Sequence, residues 1–157
     1  MSQNNLSKML KLITILTGLI GLIIYFVIIP VIGRDVAVKY LSGYYWQWII
    51  FLWLSGIPCY IVLVKFWKIC CEIKNDNSFS EINARRLSHI SVLTLVDVGY
   101  FFIGNVVLLF INMSHPVIFF GSLIVNFFGI AISVVAAALS RLVYKAADMK
   151  NENELTI

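Results

Sequence analysis

The chain has 157 residues, 61% of them hydrophobic and only 13% charged, with a formal net charge of +4. That balance lies well outside the soluble globular range, so a bilayer has to supply the burial that a folded core of this size cannot. It excludes a separate soluble domain, and the basic excess gathers beside apolar runs, where it suits anionic lipid rather than direct nucleic-acid binding.

Four apolar runs, residues 12–32, 46–64, 90–111 and 117–139, each come near the ~20 residues a helix needs to cross the hydrocarbon. The predicted fold is all-α: an integral membrane four-helix bundle forming one membrane domain over residues 1–157. Lys8 and Lys11 precede the first run as they would in a signal peptide. The run is too long for a cleavable core and lacks a small-residue exit, so it is expected to be retained. A polar tail expected to fray comes before it. Thr14, Thr17, Gly18, Gly21 and Tyr25 fall on one helical face and predict a packing seam, because small residues let backbones approach where lipid removes the hydrophobic drive. Pro30 and Gly33 are expected to end this span.

The connection over residues 34–45 leads into Tyr44, Tyr45, Trp46 and Trp48, aromatics suited to the headgroup interface. Recognition of an outside peptide or lipid is the alternative for this rim, and no spacing favours it. Pro58 removes a backbone donor from span two and is expected to kink it. Beyond that span, charges alternate with Phe66, Trp67 and Ile69, which predicts an amphipathic extension across the start of the central loop, residues 65–89. Asn75, Asp76, Asn77 and Ser78 form a turn. Ser78 with Glu81 makes an S-x-x-E capping box for a new helix, whose entrance alternates Phe79, Ile82, Leu87 and Ile90 with charge. Cys59, Cys70 and Cys71 would sit in lipid or a reducing compartment, so no structural disulfide is expected.

Asp97 lies inside span three, where a central charge costs at least ~2.5–3.5 kcal/mol on insertion scales, so it should face inward. It is suited to bind a proton or cation, or to hydrogen-bond a neighbouring span. Asn105 and Asn126, in adjacent spans, are candidate interhelical partners worth about 0.6–2 kcal/mol per contact. A short turn over residues 112–116 makes spans three and four antiparallel neighbours. Span four then carries a small or polar stripe, Ser122, Asn126, Gly129, Ser133, Ala136 and Ser140, at alternating steps of four and three, which predicts a face turned to the bundle. His89 and His115 stand at opposite ends of span three and cannot share a metal. With no zinc spacing, Walker loop, nucleophile elbow or dinucleotide turn, neither enzymatic activity nor a cofactor is expected.

Of the 12 Lys and Arg, all but Arg34 and Lys39 fall before span one, around the central loop or after span four. The positive-inside rule then places both termini and that loop in the cytoplasm.

Residues Asn77, Ser78, Phe79, Ser80 and Glu81, followed by Leu87 and Ile90, and the terminal run from Glu152 through Leu155 to Ile157 carry a resemblance. The chain resembles the YoaS-like family (domain of unknown function 2975), small four-span bacterial membrane proteins common in Gram-positive bacteria. The tail ends in Ile157 where the family commonly has Val. The resemblance implies the bacterial plasma membrane and a cytoplasmic partner, a very small helix-turn-helix regulator. The matched positions that would meet it are Ser78, Phe79, Glu81, Leu155 and Ile157. The expected function is thus a membrane anchor or antagonist of such a regulator, with self-association left open. The alternative is a small transporter or channel component, or an immunity protein against membrane-active peptides, with Asp97 and the span-four stripe lining a polar path.

Overall fold

The computed structural model describes residues 3–40, 44–75 and 77–155, and every regular element among them is helical. These are α1 (Gln3–Ile23), a π-helical segment (Ile24–Ile28), α2 (Ile29–Tyr40), α3 (Tyr45–Lys74), α4 (Glu81–Phe110) and α5 (Pro116–Leu155). Four helices are long and apolar enough to cross a membrane: Gln3–Val36, Tyr45–Lys74, Glu81–Phe110 and Pro116–Glu152. At 1.5 Å per residue, α3 and α4 reach about 45 Å and α5 about 60 Å, against a hydrocarbon layer of ~30 Å. Each therefore has length to spare outside the lipid.

The distribution of side chains is inverted relative to a soluble protein. Large apolar residues such as Leu19, Ile50, Ile103 and Phe127 are exposed along the helices, while Ser7, Thr14, Ser55, Asn83, Ser91, Asn105, Ser122, Asn126 and Ser133 are buried. Lipid accepts the first set at no cost, and the second must find partners inside the protein.

Helices pack in chain order, α1 on α3, α3 on α4 and, most extensively, α4 on α5. The last seam is pinned by hydroxyls. Ser133 Oγ donates to Ser91 O at 2.9 Å, and Ser140 Oγ donates to Ala84 O at 2.7 Å. Seven residues forward on α5 match seven back on α4, so two antiparallel helices keep one register. Between these bonds Ala136 joins Ile90 and Ile69 in a small core, and beyond the Ser133 bond Gly129 leaves the space that Val98 fills. On the other side, Tyr60 of α3 lies across Gly18 and Gly21, donating its hydroxyl to Gly18 O at 3.0 Å.

The first span does not end at Pro30 and Gly33. The chain stays helical through both to Tyr40, because the π segment absorbs the proline. Ile29 N–H donates to Ile24 O, five residues back. The next carbonyl in that ladder, Tyr25 O, would look to residue 30, which has no N–H. Trp53 of α3 supplies the missing donor, its indole N–H reaching Tyr25 O at 3.2 Å, and Tyr45 Oη likewise donates to Pro30 O at 3.1 Å. The Trp53 side chain thereby satisfies the carbonyl that the proline frees.

Two further expectations change. The stretch before the first apolar run is helical from Gln3 and packed, with Ser7 buried. Trp48 faces the protein rather than the surroundings: it is 6% exposed, packs edge-on against Phe51, and donates to Met113 O at 2.9 Å, tying the start of α3 to the α4–α5 turn. Asn112 in that turn takes a left-handed φ of 56°, a conformation asparagine tolerates better than most residues.

A Cβ on Gly104 would overlap the Phe51 ring, whereas one on Gly99 meets open space. Gly104→Ala should lower thermal stability in detergent by about 1–3 kcal/mol, while Gly99→Ala stays near wild type. Trp53→Phe, which strands Tyr25 O, should cost about 0.6–2 kcal/mol in the same melt.

Candidate functional site

Two regions concentrate polar chemistry. The first is the hairpin where α3 passes to α4 over residues 75–80, beside the start of α1. Asn83, 1% exposed, donates from Nδ2 to Asn77 O at 3.1 Å and to Ser78 O at 3.2 Å, folding the connection back onto α4. Its Oδ1 accepts from Arg86 at 3.2 Å, and Arg86 pairs with Glu72 at 3.4 Å across the hairpin. Glu72 also accepts from Asn77 Nδ2 at 3.2 Å. Ser7 of α1 donates to Cys70 O at 2.6 Å, and Ser78 Oγ meets Gln3 Oε1 at 3.4 Å. Three helices are thus stitched together around one turn.

The cap differs from the expected one. Ser80, not Ser78, is the N-cap of α4, with its side chain accepting from Asn83 N at 3.3 Å. Ser78 stands too early because Asn83 draws the chain in behind it. Glu81 becomes the first helical residue, where its charge suits the helix N-terminus, and it reaches Arg85 at 3.9 Å on the surface. With its backbone held, the turn leaves Phe79 59% and Ile82 54% exposed.

The second region is at mid-height. Asp97, halfway along α4, accepts from Cys59 Sγ at 3.7 Å through Oδ2 and stands beside Ser55 of α3. Its Oδ1 is buried without a hydrogen-bond partner. A cleft of about 290 Å³ opens there, lined by Thr17, Tyr25, Cys59, Tyr60 and Thr94 among others. Thr94 spends its hydroxyl on Ile90 O at 2.9 Å.

Asn105 and Asn126 do not bond each other. Each amide donates to the carbonyl four residues earlier in its own helix, Phe101 O at 2.7 Å and Ser122 O at 3.1 Å, and each Oδ1 is left unpartnered. A mid-helix asparagine has that carbonyl within reach without ordering a second helix, which is why local back-bonding wins. Asp97, Asn105 and Asn126 therefore do not form one centre. Of the stripe, Ser122, Asn126, Ser133 and Ala136 are buried, with Gly129 half-buried. Ile157 and the Leu155 side chain lie outside the described residues. Among the described residues, no three His, Cys, Asp or Glu side chains converge as metal ligands would.

Ser7, Asn83 and Ser91 belong to no pattern noted above, and Arg86 counts there only as one of the charges around the central loop. A signal for part of this was present: Ala84, Ser91, Val98 and Asn105 recur every seven residues, opposite Asn126, Ser133, Ser140 and Ala147 at the same interval. Asn83→Ala should cost roughly 2–3 kcal/mol, since it strips three partners at a buried site. Limited proteolysis should then cut faster within residues 75–80, with Asn151→Ala at an exposed position as the comparison.

A family model described as "Protein of unknown function (DUF2975)" matches residues 2–157. The chain is 26% identical over 153 residues to the uncharacterized membrane protein YoaS of Bacillus subtilis (strain 168), covering 94% of this chain and 95% of that protein. No solved structure matches. The four spanning-length helices agree with a multi-pass membrane location. With the match running from residue 2 to residue 157, the chain belongs to the DUF2975 family of proteins of unknown function.

Proposed function

We propose that the protein is a non-enzymatic membrane anchor or antagonist, holding a small helix-turn-helix regulator against the cytoplasmic face of the bacterial plasma membrane. The observation that carries this reading is the hairpin: its backbone is fastened by Asn83, Arg86 and Glu72 while Phe79 and Ile82 stay uncovered. An aromatic anchor on a pre-ordered turn gives up little entropy when a partner closes over it, and such residues carry most of the energy of an interface. The orientation rests on the basic residues gathered at that end, and the class of partner on the family resemblance.

α5 adds to the platform. The register set by Ser133 and Ser140 brings Ala147, itself buried, level with the hairpin turn, and the helix continues to Leu155. Phe79→Ala should weaken the complex by about 2 kcal/mol or more, roughly thirtyfold. In affinity purification from native membranes, a small DNA-binding protein should accompany the wild type and be lost from Phe79→Ala. Unchanged target transcription in Phe79→Ala and in a chain lacking its last six residues would contradict the anchor.

One observation favours a second reading, an intramembrane proton or cation site: Asp97, whose buried Oδ1 has no hydrogen-bond partner, lines a cleft together with Thr17, Tyr25 and Thr94. On that reading reconstituted vesicles show a proton- or cation-dependent flux that Asp97→Asn abolishes. Wild-type vesicles indistinguishable from empty ones would remove it.

A further inference from the structure

A second cleft, of about 370 Å³, lies between α4 and α5 and is lined by Ala84, Arg85, Ser88, Ser140, Arg141 and Tyr144. Two guanidinium-bearing residues and two further hydroxyl-bearing ones, Ser88 and Tyr144, come from facing helices, and no acidic residue is in the lining. The walls are fixed by the seam itself, because the Ser140 to Ala84 bond of 2.7 Å forms part of the floor.

Its depth is set by helix length. About 20 helical residues cross the hydrocarbon, so counting from the α4–α5 turn the far boundary falls near residue 90 on α4 and residue 137 on α5. Arg85, Ser88, Arg141 and Tyr144 all lie within roughly one to two turns beyond those points, in the headgroup layer. On the hydrocarbon side of the cleft, Val92 and Leu95 of α4 and Val134 of α5 are exposed and apolar.

The charges here are less engaged than that of their neighbour Arg86. Arg86 is spent on Glu72 and Asn83 inside the hairpin. Arg85 has only a solvent-exposed contact with Glu81 at 3.9 Å, a pairing worth little. Arg141 takes part in neither ion pair found among the described residues. A planar guanidinium pair flanked by hydroxyls is the donor set that recognises a phosphate diester, and basic pockets between spanning helices at this depth take lipid headgroups.

We infer that this cleft is a binding site for the phosphate of an anionic glycerophospholipid in the leaflet on the hairpin side, with its acyl chains along Val92, Leu95 and Val134. The site is separate from Phe79 and from Asp97, and it does not depend on the function proposed above.

The test titrates the full-length protein in uncharged detergent with phosphatidylglycerol, phosphatidylcholine or glycerol phosphate, following the thermal midpoint. Phosphatidylglycerol should raise it in a saturable way, and the other two should not. The Arg85→Gln/Arg141→Gln variant should need at least about thirtyfold more phosphatidylglycerol for the same rise, because it removes charge-assisted hydrogen bonds to the phosphate and not charge alone. Lys65→Gln/Lys68→Gln, which removes the same charge elsewhere, should titrate like wild type. Tyr144→Phe keeps both charges and should weaken binding by a smaller factor, which covers the case of a double variant that folds poorly. Equal weakening in the two double variants would reduce the effect to general attraction and overturn the site. An equal rise with glycerol phosphate would assign the cleft to a soluble phosphate instead, and an equal rise with phosphatidylcholine would remove charge recognition.

Discussion

Hydroxyl-to-carbonyl bonds across the α4–α5 seam, Ser133 to Ser91 and Ser140 to Ala84, are the contacts on which the remaining architecture depends. In lipid, helices gain nothing by hiding leucine from leucine, and association falls to close packing and interhelical hydrogen bonds. The seam uses both, with Gly129 and Ala136 setting the approach and the serines setting the register. Fixing the register of α5 then determines where its continuation meets the hairpin and which residues of the two helices frame the basic cleft.

The cost of leaving a main-chain carbonyl unmatched in lipid accounts for the first span. A proline inside a membrane helix strands a carbonyl, and here the stranded Tyr25 O is met by a tryptophan from the next helix. Trp53 and Tyr60 thus join α3 to the π-helical segment and to α1 through main-chain carbonyls rather than through side-chain pairs. At the hairpin, where water can serve as partner, the protein nevertheless fastens its own backbone with Asn83 and Arg86. That order gives the turn proposed for docking a fixed shape.

The fold class was legible because it depends on length and apolarity alone, which four runs of about 20 residues declare openly. The span-four stripe was legible for a related reason: Ser122, Asn126 and Ser133 break an apolar background at helical spacing. Boundaries were less so. Pro30 and Gly33 have the composition of a helix end, and only a donor from a distant residue, Trp53, lets the helix continue. Ser78 and Glu81 match a capping pattern as well as Ser80 and Asn83 do, and the choice is made by the Asn83 amide reaching back to residues 77 and 78. Asn105 and Asn126 show the limit of pairing by type, since each had a nearer carbonyl in its own helix. Ser7 carried no local signal, because its partner, Cys70 O, is 63 positions away.

The anchor assigns the hairpin end a definite side of the bilayer, so orientation is the most direct test of the account. Single cysteines at Phe79 and at His115, placed in a chain freed of Cys59, Cys70 and Cys71, can be probed with a membrane-impermeant maleimide. In intact bacterial cells the account predicts labelling at position 115 and protection at position 79, reversed in inside-out vesicles. Labelling of position 79 in intact cells would contradict it, because the turn that bears Phe79 would then face away from any cytoplasmic regulator.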